Sequence, residues 1–73
     1  MRTVRDPRGT TWICLELPEV PTDQHAAAAD MPSETVAIEC NSGAERVIAL
    51  VAPGWDDDMD DVTLSRTIAA FMQ

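Results

Sequence analysis

Two turn signals constrain this chain more than any other feature, because each separates extended segments that have room only to fold back on one another. The first is Asp6-Pro7-Arg8-Gly9. Proline fixes φ at the second position of a β-turn, aspartate suits the first and glycine the last. Before it, Arg2 to Asp6 alternates weakly. After it, the stretch from Thr10 to Leu17 is β-branched and aromatic, a composition suited to a strand. The second signal is Asn41-Ser42-Gly43, a tight-turn sequence. It follows Glu34 to Cys40, in which Val36, Ile38 and Cys40 fall on one face while Glu34, Ala37 and Glu39 are displaced from it. It precedes Ala44 to Val51, which carries a long apolar run. That last segment is expected to be a central strand with both faces at least partly covered. Pro53-Gly54 stops it.

Two hairpins and a helical tail complete the expected architecture. Leu64, Ile68, Phe71 and Met72 fall at i, i+4, i+7 and i+8, one apolar stripe, with Val62 nearby and Thr63, Arg66 and Thr67 toward solvent. An aspartate between positions 57 and 60 can cap this helix, and neighbouring carboxylates sit favourably at its positive end. The fold class is therefore α+β: a four-stranded antiparallel sheet from two β-hairpins with one C-terminal α-helix packed on it. With 73 residues the chain forms a single small acidic domain, 1–73. A chain of this size buries only about 60–65% of its unfolded surface, so its core is thin. Within the domain, 18–33 holds three prolines and Ala26 to Ala29. Four alanines favour a helix but fall well short of a stable isolated one. This segment is expected to be a flexible loop with one helical turn.

Charge gives the strongest hint of a contact surface. Thirteen acidic residues against five arginines leave a net charge of −8. Such a chain is repelled by phosphate, so direct sequence-specific binding of nucleic acid is not expected, and a basic protein surface is the better partner. The acid is concentrated in Asp56-Asp57-Asp58-Met59-Asp60-Asp61, directly after Trp55. A helix start explains part of this run, but several like charges exceed what one cap requires. Asp56, Asp57 and Asp58 are thus candidate protein-binding residues. Trp55 joins them as an anchor if it is partly exposed; otherwise it plugs the end of the core. Trp12, in mid-strand, belongs in the core. Arg5 and Arg8 frame the first turn and form a small candidate basic patch opposite the acidic pole. Asp56, Asp58 and Asp60 match the first spacings of a calcium loop, but the required glycine and glutamate are replaced by Asp61 and Thr67.

Chemistry finds little footing. Cys14 and Cys40 stand 26 positions apart in two strands and suit buried reduced thiols. A disulfide between them is possible only if their side chains face each other. A single histidine, His25, cannot complete a zinc site with them. Ser33, Ser42 and Ser65 lie in no nucleophile context, and no glycine-rich phosphate loop is present. No enzyme activity, metal or cofactor is expected. No apolar run approaches the roughly 20 residues that cross a bilayer, and the first residues do not resemble a signal peptide. A cytoplasmic protein without membrane contact is expected.

With the opening Met1-Arg2-Thr3-Val4-Arg5-Asp6-Pro7-Arg8-Gly9-Thr10-Thr11-Trp12 and the closing Pro53-Gly54-Trp55-acid-helix, the chain resembles the small RNA-polymerase-binding transcription regulators of lytic Xanthomonas phages. Length, acidity and element order fit over the whole chain. The resemblance implies binding to the N-terminal segment of the host polymerase β′ subunit in the cytoplasm of an infected bacterium. It further implies inhibition of initiation at host promoters, and read-through of intrinsic terminators together with the host elongation factor NusA. The residues alone leave two other classes open: an acidic mimic of nucleic acid, and a protein-interaction module unrelated to transcription.

Overall fold

The computed structural model of the chain describes residues 1–72. Both hairpins form. Strand β1 (Arg2–Arg5) pairs antiparallel with β2 (Thr11–Glu16), and β3 (Val36–Asn41) pairs antiparallel with β4 (Arg46–Val51). An antiparallel β2–β3 pairing joins the hairpins into one sheet in the order β1-β2-β3-β4. In the first turn the Gly9 N–H donates to the Asp6 carbonyl at 3.0 Å, and Gly9 takes φ 85°, a left-handed conformation that glycine adopts without steric cost. The fold is α+β, with helix α3 (Asp61–Phe71) packed on one face of the sheet.

Register assigns each side chain to a face. Val4, Trp12, Cys14, Val36, Ile38, Cys40, Val47, Ala49 and Val51 are cross-strand partners or alternate with them, and all point toward α3. Leu64 and Ile68 meet them from the helix, both essentially inaccessible to water, with Phe71 and Met72 packed at the margin. Ser65 joins the buried side of α3, its hydroxyl donating to the Val62 carbonyl at 3.0 Å. Val62 itself is exposed. Helix α3 contacts β1 and β4, the two outer strands, so it crosses the sheet and closes the core from edge to edge.

Strand β4 is an edge strand, not the central one expected from its apolar run. Its composition reports coverage of its two faces rather than the number of its hydrogen-bonded neighbours. One face lies beneath α3. On the other, Leu50 and its partner Ala37 are buried. Met31, Pro32 and Thr35 of the long β2–β3 connection line a shallow cavity of about 250 Å³ with Leu50 and Pro53, so the connection passes over this end of the sheet. The same face is open over β2, where Ile13 and Leu15 are nearly half exposed. The connection contains a 3-10 turn at Thr22–Gln24 and the single helical turn α1 (His25–Ala28).

The tail is two helices rather than one. Helix α2 (Trp55–Asp58) is one turn long, Met59 is extended, and Asp60 opens α3. Geometry explains the break. At about 100° per residue, a continuous helix would set Trp55 roughly 180° around the axis from Leu64, nine residues later. Only one of them could then face the core. The extended Met59 re-aims the chain, so that Trp55, Leu64 and Ile68 are all buried.

Candidate protein-docking surface

The acidic turn is fixed from both sides. Gly54, at φ 85°, turns the chain out of β4, and its carbonyl accepts from Asp57 N–H and Asp58 N–H at 3.0 and 2.8 Å. Trp55 drops into the core at 3% exposure, and its indole N–H donates to Glu16 Oε1 at 3.0 Å. Anchoring of a partner by Trp55 required partial exposure, and burial rules that role out. The tryptophan instead holds the turn that displays the aspartates. Trp12 is buried in the same manner, with its indole N–H donating to Asp6 Oδ2 at 3.2 Å.

Arg2 supplies the second fixing point. Its guanidinium donates to the carbonyls of Trp55 and Asp56 at 3.2 and 3.0 Å and to Asp61 Oδ1 at 2.9 Å. It therefore gives the Asp56 carbonyl a donor, adds a second donor to the Trp55 carbonyl, which also accepts the Met59 N–H at 3.2 Å, and pairs with one carboxylate of the acidic run. Arg2 could have been found by strand alternation. It lies two positions before Val4, on the core-facing side of β1, where an arginine must reach a polar partner. Glu16 follows the same logic, two positions beyond Cys14 on the core side of β2.

The remaining aspartates divide by task. Asp60 caps α3, accepting the Thr63 N–H at 2.7 Å. Hydrogen bonds from the Thr63 backbone and side chain hold its carboxyl below the ordinary range. Asp61 is committed to Arg2. Asp56, Asp57 and Asp58 are exposed and take part in no ion pair among the described residues. These three, all on α2, are the free excess of negative charge.

Arg5 and Arg8 lie at the far end of β1 from Arg2, so the structure does not bring them to the acidic turn. Arg8 is largely exposed and only loosely paired with Asp6, at 3.9 Å. With Pro7, Trp12, Ser65, Ile68 and Met72 it lines an open groove of about 320 Å³ beside α3. Arg5 is exposed and unpaired among the described residues. The Asp6 carboxylate organises this pole. It accepts the N–H groups of Arg8 and Thr10 at 3.0 and 2.9 Å as well as the Trp12 indole. Burial pushes its pKa up, but the Thr10, Trp12 and Arg8 hydrogen bonds outweigh burial and leave it below the ordinary carboxylate range.

Among the described residues, no three His, Cys, Asp or Glu side chains converge to hold a metal ion, and no helix is long and apolar enough to cross a membrane. His25 makes one local contact, to the Val20 carbonyl at 3.0 Å. Comparisons with protein-family models, with curated proteins and with solved structures return no match for this chain.

Proposed function

We propose that this protein is a non-enzymatic phage regulator that docks on the host RNA polymerase through Asp56, Asp57 and Asp58. The contact is with the N-terminal segment of β′. Bound there, the protein inhibits initiation at host promoters and promotes read-through of intrinsic terminators, acting with NusA in the elongation complex. The polymerase as target comes from the likeness of the opening and closing segments to phage regulators. The chemistry comes from the molecule: three adjacent carboxylates, unneutralised and exposed, on a turn held rigid by Trp55 and Arg2. Rigid display lowers the ordering cost of binding a basic surface, and the charge steers the encounter.

The mechanism needs no catalysis. A negatively charged body beside the exiting RNA repels the strand and narrows its path, and both effects hinder formation of the terminator hairpin. The acidic-mimic alternative is less favoured. Consecutive carboxylates on one helical turn radiate about 100° apart, which is not the linear spacing of a phosphate backbone.

Transcription reconstituted with host polymerase and NusA tests this reading. The wild-type chain should suppress promoter-dependent initiation and raise read-through at an intrinsic terminator. The Asp56→Asn, Asp57→Asn, Asp58→Asn triple variant should lose most of both effects. Equal read-through from the two proteins would overturn the assignment of this surface, and no effect from the wild type would overturn the target.

A further inference from the structure

We propose that Cys14 and Cys40 form a dithiol that closes reversibly into a cross-strand disulfide when the protein meets a small-molecule disulfide, locking β2 to β3 in the middle of the sheet. The two residues are direct cross-strand partners, both completely buried, and both thiols are free. The type of pair matters as much as the register. The Leu17 N–H donates to the Ala37 carbonyl at 2.9 Å, which makes 17 and 37 a hydrogen-bonded pair. Antiparallel ladders alternate, so 15/39 and 13/41 are hydrogen-bonded and 14/40 is not.

The flanking ladders agree independently. The Asp6 N–H to Thr10 carbonyl bond sets Arg2/Cys14 as a hydrogen-bonded pair, and the Ser42 N–H to Glu45 carbonyl bond does the same for Cys40/Val47. Each cysteine thus spends its backbone bonds on its outer neighbour and faces the other cysteine across the closer kind of pair. Cα atoms in such pairs stand about 4.5 Å apart, at the short end of the range that a disulfide spans. The register therefore sets the two cysteines at a span that a disulfide bridges.

The environment also distinguishes the two thiols: Cys14 has Arg2 as its direct partner on β1, whereas Cys40 has Val47 on β4. The neighbouring Cys40 thiol, with help from the Arg2 charge, lowers the pKa of Cys14 against the effect of burial. The Cys14 thiol and burial raise that of Cys40. With the Arg2 cation on its direct cross-strand neighbour, Cys14 is the attacking thiolate. Its sulfur attacks one sulfur of the small disulfide, whose S–S bond breaks as a mixed disulfide forms. The departing thiolate takes up a proton. Cys40 then gives its proton to solvent and attacks the Cys14 sulfur, expelling the second small thiolate, which is protonated in turn. Two protein thiols are oxidised and one small disulfide is reduced to two thiols. Because both sulfurs are shielded, closure is gated by transient opening of the domain.

Intact-mass spectrometry of the full chain, equilibrated under native conditions in glutathione buffers of rising oxidised fraction, tests this directly. The expected product is a monomer lighter by two hydrogen atoms, returned to its starting mass by dithiothreitol. Its melting temperature should be higher by on the order of 10 °C, because the cross-link restricts the unfolded chain. An unchanged mass at the most oxidising ratio would overturn the proposal. So would glutathione adducts without closure, a disulfide-linked dimer, or closure seen only in denaturant. The mass reading uses the unsubstituted chain, so no variant has to fold.

Discussion

Each tryptophan in this protein solves the same problem in the same way. A buried indole N–H must find an acceptor, and Trp12 finds Asp6 while Trp55 finds Glu16. Glu16 is exposed and its bond to Trp55 only part-buried, so water can take the place of a truncated carboxylate in part, and Glu16→Ala should destabilise the fold by about 0.5–1.5 kcal/mol in urea unfolding. A change within error would mean that water replaces the carboxylate at no cost. Asp6 and Asp60 carry a pH prediction. Both carboxyls are held below their ordinary pKa by donated hydrogen bonds, so they bind fewer protons folded than unfolded. Their stabilisation is complete above the unfolded value of about 4 and is lost as pH falls through the depressed folded values. A melting-temperature profile from about pH 7 to about pH 2 should fall less steeply on its acid side in Asp6→Asn and Asp60→Asn than in wild type. At this scale the sequence was legible where the chemistry is local, as in the turn role of Asp6 and the capping of α3. The partners of Arg2 lie more than fifty positions away, and no local pattern names them, although strand alternation marks Arg2 as needing one.

Among the elements, both hairpins were legible because turn residues state their geometry within four positions. The edge placement of β4 was not. An apolar run records how much of a segment is covered, and here a helix on one face and a loop on the other give an edge strand the composition of a central one. The division of the tail into α2 and α3 also escaped, because the acidic run is compatible with an unbroken helix. Only the need to bury Trp55, Leu64 and Ile68 together requires the extended Met59. Gly54 makes this corner possible. A Cβ there would demand a left-handed conformation from an L-residue and would stand 3.0 Å from Asp58 Oδ2. Gly54→Ala should therefore destabilise the protein by about 1–2 kcal/mol, measured by urea unfolding. A neutral result would show that α2 can be re-formed without the left-handed entry.

For the whole molecule, charge is the governing property. The described residues hold three ion pairs, involving Asp6, Glu39 and Asp61, in a protein with thirteen acidic groups. Such a surface repels itself, so added salt should raise the melting temperature, by roughly a few degrees between low and physiological ionic strength. If the carboxylates dock on a basic surface as proposed, salt should have the opposite effect on partner binding, because screening weakens that attraction. Neutralising Asp56, Asp57 and Asp58 relieves repulsion without breaking an ion pair, so the triple variant should be at least as stable as wild type. The acidic run stands out in the sequence as a candidate contact surface, and the structure leaves three of its five carboxylates uncommitted, with Asp60 capping α3 and Asp61 paired with Arg2. Of the two roles open to Trp55, burial selects the plug at the end of the core, beneath the acidic turn.

The most direct measurement is a titration of the host polymerase β′ N-terminal segment with the wild-type protein and with the Asp56→Asn, Asp57→Asn, Asp58→Asn variant, at several salt concentrations. The wild type should bind, with affinity that falls as salt rises. The variant should bind on the order of tenfold or more weakly, with a flatter salt dependence. Equal affinity and equal salt dependence for the two proteins would contradict the claim that this turn is the docking surface.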